Sequence, residues 1–473
     1  MASHTLGQIL VLLSLSYFSF AQNATTACTT LQTQLGSQKV QSSGVIYEAG
    51  ATGAWNLANA ELEPACIVFP QESSDVQTAM KTIFEFEAQY SVQAGGHSAM
   101  IGWDNTQDGV LILFSQMKDI SYDPESDTII MEPGIRWGEA VDALEPYGVA
   151  PVGGRQSDVS TGLLLGGGLS WLSPAHGFAA DSFKSLDIVL VNGSLVTATV
   201  DNEYADLFRA LKGGGSRFGI YANTSAEAVL NATARYVQNV QDPNAVILVT
   251  FINIITAGII EPLIGVNAFY NISGSNVSSL PSTIFGDFLS IPSINITLPA
   301  PVSYIEVSNT LPPGTSTDSG SFYGASAIAA TQDASVYIDA LRHWTNFTET
   351  FAGSGGYSLT VLAFTPVLGP QIQAGVARGG NAIDPPLGGY VAVQLAEQTV
   401  TGAPLPPAGA EEGKLLLLEQ IPRTPGYPLF MNECDKRQNV YETYGDYEFM
   451  KITYEKYDPT RFNVRKMDGP LGL

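Results

Sequence analysis

Apolar positions in the N-terminal part of the chain fall into short runs divided by amphipathic stretches. Cys66–Pro70, Tyr90–Val92, Val110–Phe114 and Thr128–Met131 are such runs, and each predicts a strand. Between the first two, Val76, Met80, Ile83 and Phe84 share one helical face, and Ser74-Asp75-Val76-Gln77 reads as the capping box that opens the helix. Strand, helix and strand compose a β-α-β unit whose second strand runs into glycine. Trp137–Leu144 predicts another helix, Leu186–Ala198 a hairpin turning at Asn192-Gly193, and Tyr204–Leu211 a short amphipathic helix. After Gly219 the pattern changes. Residues 226–424 hold long apolar stretches such as Val246–Ile264, with Leu311–Ser321 and Thr401–Gly413 reading as loops or linkers. Pro425–Leu473 is tyrosine-rich and charged again.

The glycine edge carries the first chemistry. Val92–Ala99 reads V-Q-A-G-G-H-S-A, a strand end followed by two glycines, His97 and Ser98. Adjacent glycines let successive N–H groups point into one concavity, which can hold a pyrophosphate without lysine or arginine. A plain glycine turn with a hydrogen-bonded histidine is the alternative. Val152–Leu169, V-G-G-R-Q-S-D-V-S-T-G-L-L-L-G-G-G-L, is too glycine-rich for a helix interior and lets backbone approach a flat or phosphorylated ligand.

Composition narrows the setting. The 473 residues suffice for two or three domains, and 45% hydrophobic residues exclude general disorder. A net charge of −24 argues against nucleic acid and anionic membrane surfaces as partners. The apolar stretch Ile9–Phe20 is too short to span a bilayer. With Ser19-Phe20-Ala21 at its end it reads as an export signal cleaved after Ala21, although no Lys or Arg precedes it. An uncleaved anchor is the alternative. Eight N-x-S/T sequons, at Asn23, Asn192, Asn223, Asn231, Asn271, Asn276, Asn295 and Asn346, then predict a secreted protein with N-glycans. Cys28 and Cys66 could close an N-terminal loop, a pairing suggested by spacing alone that leaves Cys434 odd.

Several chemistries are excluded. G-x-S-x-G, G-x-G-x-x-G and a Walker lysine motif are absent, and His97, His176 and His343 are too scattered for a histidine-rich zinc site, so no metal is expected. Four motifs remain in order: A-G-G-H-S at 94–98, G-G-R with G-x-x-x-G-G-G within 153–168, D-L-F-R-A-L-K-G-G-G-S-R-F-G at 206–219, and K-Y-D-P-T-R-F at 456–462. As an ordered set they resemble the FAD-linked oxidoreductases of the vanillyl-alcohol-oxidase (p-cresol-methylhydroxylase, PCMH) type, and within them the fungal berberine-bridge-enzyme-like group. Residues 28–220 and 425–470 carry the resemblance well and the middle only loosely.

The resemblance implies an α+β fold: a two-subdomain PCMH-type FAD-binding domain plus a substrate domain with an antiparallel sheet backed by helices. The implied boundaries are 1–21 for the signal peptide, 22–225 for the FAD-binding domain, 226–424 for the substrate domain, and 425–473 for a segment completing the FAD-binding domain. Gly95, Gly96, His97 and Ser98 would cradle the pyrophosphate. Gly153, Gly154, Val159, Gly162, Gly166, Gly167 and Gly168 would pass along the flavin, and Pro133, Gly134 and Gly219 complete the cofactor set. His97 matches the histidine bonded covalently to the methyl group on the flavin's benzenoid ring. No cysteine stands near Arg155-Gln156, where some relatives add a second bond, so a single bond is expected.

Three departures stand out. Ile220 runs into Tyr221-Ala222-Asn223 as though a strand or two were missing, and Gln93 stands where a basic residue is common. The family's Tyr-x-Asn-Tyr stretch appears as Phe430-Met431-Asn432-Glu433. Glu433 therefore takes the place of the catalytic base, with Asn432 positioning flavin or substrate. The alternative leaves Glu433 solvated beside Lys436 or Arg437, with Tyr441 or Tyr444 in that role. The function implied is a secreted FAD-dependent oxidase. It would take a hydride from a C–H next to oxygen or nitrogen, in a sugar, oligosaccharide or other alcohol, and pass electrons to molecular oxygen to give hydrogen peroxide. An oxidase or dehydrogenase of secondary metabolism acting on an alkaloid or polyketide is the alternative, and a degenerate flavin-binding glycoprotein the second.

Overall fold

The structure, a computed structural model, describes residues 23–213, 226–272, 279–291, 302–309, 311, 318–470 and 472–473. The expected export segment, Gly219 and the stretch after Ile220 lie outside them. The fold is α+β.

Strands β1 (Val40–Gln41), β2 (Cys66–Val68), β3 (Tyr90–Gln93) and β4 (Val110–Leu113) form one sheet in the order β1-β2-β4-β3. β2 and β3 both run parallel to β4, which lies between them, so the strands flanking the helix Ser73–Glu85 are not neighbours. Every residue of β4 is buried, as a central parallel strand requires. The expected capping box is corrected. The helix begins at Ser73, so Ser74 lies inside it, and Gln77 Nε2 donates to Gly193 O at 3.2 Å. The Asp75 carboxylate accepts from Lys39 at 2.7 Å and from the Gln71 N–H at 2.9 Å. A disulfide between Cys28 and Cys66 ties helix 23–35 to β2, while Cys434 is buried and outside any disulfide.

Two antiparallel pairs follow, β5 (Ile120–Asp123) with β6 (Thr128–Met131) and β7 (Ser185–Val189) with β8 (Leu195–Thr199). Between the pairs lie the helix Trp137–Leu144 and the 3-10 helix Thr161–Gly166.

Strands β9 (Ala245–Thr256), β10 (Ile259–Tyr270), β11 (Ser321–Ala329), β12 (Tyr357–Val367) and β13 (Tyr390–Thr399) form a second, antiparallel sheet in the order β10-β9-β12-β13-β11. The apolar stretch 246–264 is thus a hairpin turning at Ala257-Gly258. One face of this sheet packs through Phe251, Phe364 and Leu395 against Tyr337 and Trp344 of the helix Ser335–Ala352. The opposite face, through Ile252, Val361 and Ala363, meets Ala99 and Trp171 of the first half. The stretch 401–413 is only partly a loop, because a helix, Ala410–Gln420, begins inside it.

The C-terminal segment returns to the first sheet. Phe462 is fully buried, with ring centroids 4.9 Å from Phe84 and 6.1 Å from Tyr90. Asp458 accepts from the N–H groups of Phe462 at 2.7 Å and Asn463 at 2.8 Å, which starts the helix Phe462–Lys466. The Asp in K-Y-D-P-T-R-F is therefore a cap that aims a phenylalanine into the core.

A buried ionic cluster joins the large sheet to the loop that follows Asn432. Lys414 pairs with Asp435 at 2.9 Å, and Glu397 on β13 accepts from the Tyr357 hydroxyl at 2.9 Å. Burial pushes the Glu397 carboxyl up to about 7 against the pull of Lys414. Glu397 keeps its proton longer in the folded than in the unfolded chain. Its stabilising contribution is complete below about pH 4.5 and is lost as the pH rises toward 7. Glu397→Gln should therefore match the wild type near pH 4.5 and exceed it above pH 7, by on the order of 3 kcal/mol at most. Denaturant titrations at both pH values read this, and a stability difference independent of pH would show that Glu397 titrates as an ordinary glutamate.

Candidate active site

The turn after β3 is held by buried amides. Asn59 Nδ2 donates to the carbonyls of Ser98 at 3.0 Å and Met100 at 3.2 Å, and its Oδ1 accepts from Gly102 N–H at 2.8 Å. Asn56 Nδ2 donates to Ala99 O at 3.2 Å and to Ser321 O at 2.9 Å, so the same side chain docks the edge of β11. Asn105 donates to the carbonyls of Ala51 and Asn59 at 2.9 and 2.8 Å. Gln93 serves the same turn, donating to Asp104 O at 2.7 Å, while Asp104 accepts from Ser98 N–H at 2.8 Å.

Inside that frame Gly96 has φ +70, a conformation that glycine adopts without strain. The carbonyl edge of the turn is occupied: Trp55 N–H donates to Gly96 O at 2.7 Å and Arg136 Nη2 to Gly95 O at 3.0 Å. Its N–H groups are what the turn can offer a phosphate. His97 follows, with its ring stacked on Trp55 at a centroid distance of 4.5 Å and 8° between planes. Its Nε2 lies 3.5 Å from Asp158 Oδ2.

A continuous cavity of about 1690 Å³ opens from this turn, larger than the ~300–1,000 Å³ of ordinary small-molecule pockets. Gly95, Gly96, His97 and Ser98 line it, as do Pro133, Val159 and Gly162. The C-terminal segment also lines it, through Tyr441, Tyr454 and Asn463 among others. An extended dinucleotide fits this arrangement. A Cβ added at Gly162 would meet nothing within 4 Å, so this glycine leaves cavity space for a ligand.

The other glycines act differently. Added Cβ atoms at Gly153 and Gly154 would strike the Trp137 ring, those at Gly167 and Gly168 would strike Ile383 and Ala179, and that at Gly134 would strike the Phe114 carbonyl. These four positions and Gly134 are absent from the cavity lining and serve close packing behind it; Gly166 is buried and also absent from the lining.

Asn432 and Glu433 sit one layer behind the wall. Asn432 Nδ2 is 3.4 Å from the carbonyl of Leu163, a lining residue. Glu433 is 1% exposed, and its Oε1 lies 3.6 Å from Arg155 Nη2. Arg155 is equally enclosed, with Nη1 3.4 Å from Thr365 Oγ1 and its guanidinium 5.7 Å from the Trp171 ring centre. Burial pulls the Arg155 pKa down while the Glu433 charge opposes the shift. The alternative of a solvated Glu433 facing Lys436 or Arg437 is overturned, because Arg437 pairs with Asp435 and Glu411 and the cation facing Glu433 is Arg155. Tyr441 lines the cavity, and the Tyr444 hydroxyl donates to Gly213 O at 3.0 Å. Trp55, Asn56, Asn59, Asn105 and Asp158 were not read as site residues from sequence. The only trace of the amide frame there is a pair of asparagines three apart within apolar sequence, W-N-L-A-N-A.

Known proteins are similar to this chain in sequence and fold. A family model described as an FAD binding domain matches residues 64–199. An FAD-dependent monooxygenase of Arthrobotrys oligospora is 28% identical over 95% of this chain and 90% of its own length. The chain is similar to FAD-dependent oxidoreductases along most of its length. Its fold is similar to that of a berberine-bridge-enzyme-like protein of Physcomitrella patens, with a TM-score of 0.66 at 17% identity over 92% of this chain and 97% of that one. Other relatives in this group align over only 34% to 42% of their own length. Among solved structures, the carbohydrate oxidase of Microdochium nivale superposes with a TM-score of 0.70 at 18% identity, over 95% of this chain and all of that one (100%). The glucooligosaccharide oxidase of Acremonium strictum, described with a 6-S-cysteinyl, 8α-N1-histidyl FAD, superposes with 0.67 at 19% identity over 89% of this chain and 95% of its own. At these identities the likeness is one of fold.

The two kinds of glycine separate in a loading experiment on this oxidoreductase. Gly162→Ala should leave the melting temperature of the flavin-free protein unchanged and lower FAD occupancy. Gly153→Ala should destabilise the fold by about 1–3 kcal/mol through overpacking on Trp137. Full FAD loading in Gly162→Ala would mean that the cofactor does not pass that residue.

Proposed function

We propose that this FAD-linked oxidoreductase is a secreted oxidase that holds FAD in the cavity through a covalent bond to His97. It would take a hydride from a C–H next to oxygen or nitrogen and pass the electrons to dioxygen, giving peroxide. The observation that carries this reading is the continuous cavity from the Gly95–Ser98 turn past Val159 and Gly162 to the C-terminal segment, with His97 in its wall. The disulfide and the exposed sequon residues Asn192, Asn271 and Asn346 support an extracellular setting.

Bound FAD supplies the hydride acceptor. The chain supplies position and proton handling. The N–H groups of Gly95, Gly96 and His97 hold the pyrophosphate, the Ser98 N–H being taken by Asp104, and Trp55 fixes the plane of His97. Arg155 holds the Glu433 carboxyl one layer behind the cavity wall. Its role requires it to come within hydrogen-bond reach of the substrate's hydroxyl in the loaded protein and to take that proton as the hydride leaves the carbon bearing the hydroxyl. Asn432, anchored at Leu163, orients the ring or the substrate. The burial of Arg155, Asn432 and Glu433 keeps water from competing at this end. A second reading, an oxidoreductase of secondary metabolism, is favoured by the near full-length match to a protein named as a monooxygenase and by glutamate in place of the tyrosine.

Three measurements test the reading. In acid-precipitated protein the yellow flavin should stay in the pellet, and His97→Ala should release it into the supernatant. A wild-type pellet without flavin would remove the covalent bond. Glu433→Gln, fully loaded with flavin, should slow anaerobic flavin reduction by a true substrate by ~10²–10⁴-fold. An unchanged rate would take Glu433 out of the mechanism. Peroxide release with carbohydrates, compared with aromatic polyketide alcohols, divides the two substrate readings.

A further inference from the structure

We propose that Asp158 is the positioning residue for covalent attachment of FAD: it holds the Nε2–H of His97, presents Nδ1 as the attacking atom, and takes the Nε2 proton once the bond has formed. The proposal rests on the covalent reading above and adds a residue to it. Asp158 Oδ2 lies 3.5 Å from His97 Nε2, with side chains 14% and 8% exposed respectively. Such contacts are often long before the ligand is bound and tighten around it.

Three surroundings make the pairing specific. Trp55 covers one face of the imidazole, almost parallel to it, so the ring is restrained to one plane. Nε2 is the ring nitrogen that faces Asp158. A carboxylate only accepts, so it selects the tautomer protonated at Nε2 and leaves a lone pair on Nδ1. The Asp158 backbone is pinned on both sides. Gly138 N–H donates to Ser157 O at 2.8 Å, Trp137 N–H donates to Val159 O at 2.9 Å, and the Ser160 hydroxyl donates to Ile135 O at 2.6 Å. The carboxylate is therefore carried by the start of the helix Trp137–Leu144 and stays in register with the glycine turn.

The step balances. The Nδ1 lone pair forms the bond to the methyl carbon, and one methyl C–H bond breaks with its proton passing to water. The electron pair of that C–H bond reduces the flavin, and dioxygen then accepts two electrons and two protons to give hydrogen peroxide. The positive charge left on the imidazole is discharged when Nε2 loses its proton to Asp158. A neutral imidazole and a reoxidised flavin remain, joined by one C–N bond.

The test compares wild type, Asp158→Ala and Asp158→Asn as full chains from riboflavin-limited cells, incubated with FAD in air. Total bound flavin is read by absorbance after gel filtration, and covalent flavin by fluorescence of the denatured band over time. Asp158→Ala should bind FAD without covalent attachment keeping pace, its linkage rate falling at least about tenfold. Asp158→Asn, which keeps an acceptor for Nε2–H but cannot take the proton, should fall between the two. Formate should speed linkage in Asp158→Ala and leave the wild type unchanged. Equal rates in all three proteins, or a slow rate in Asp158→Ala that neither asparagine nor formate raises, overturns the role of Asp158. If Asp158→Ala is not recovered folded, the asparagine variant alone decides, since linkage at the wild-type rate there overturns the proton transfer. A wild type that never acquires acid-stable flavin overturns the covalent reading itself, an outcome distinct from linkage that is indifferent to residue 158.

Discussion

The site depends on three asparagine side chains that water does not reach. Asn56, Asn59 and Asn105 are fully buried, and their amides satisfy backbone groups that neither helix nor sheet serves. A buried carbonyl without a donor costs roughly 1–3 kcal/mol, and the turn Ser98–Met100 presents three in succession. An asparagine amide has two donors and an acceptor in a fixed plane, so each one sets both the position and the orientation of the strand it serves. The turn can then carry a glycine at positive φ, a histidine at a defined angle, and a row of N–H groups. Asn56 extends the frame to Ser321, so the edge of the large sheet and the glycine turn are placed by one side chain.

Around this frame the glycines divide their work. Those at 153 and 154 let backbone lie against the Trp137 ring, which fixes the loop carrying Arg155 and Asp158. Gly162 instead leaves space in the cavity. Glycine density alone does not distinguish packing from ligand approach, because both require the absence of a Cβ. The C-terminal segment adds to the cavity by driving Phe462 into the first sheet and by contributing Tyr441 and Tyr454 to the lining.

Much of the architecture was legible from periodicity. The strand before Gly95, the helix Trp137–Leu144 and the hairpin at Asn192-Gly193 follow from local apolar patterning and turn chemistry, which act within a few residues. The ordered glycine motifs carried the family. The frame of the site was not legible, because its bonds are long-range. Asn56 reaches Ala99 and Ser321, Glu433 reaches Arg155, and His97 reaches Asp158, and no local pattern announces such pairs. The capping box failed for a related reason. The helix starts at Ser73, so Ser74 lies inside it, and Gln77 Nε2 donates instead to the distant Gly193 carbonyl at 3.2 Å.

The central claim is that FAD lies along this cavity with its pyrophosphate on the glycine turn and its ring end toward the Arg155–Glu433 pair. A crystal structure of the flavin-loaded protein tests that most directly. The expected electron density places the two phosphates on the N–H groups of Gly95–His97, runs unbroken from the imidazole of His97 into the ring, and passes Gly162 at van der Waals contact. Phosphates bound away from that turn, or a ring that lies with Arg155 and Glu433 beyond its reach, would contradict it.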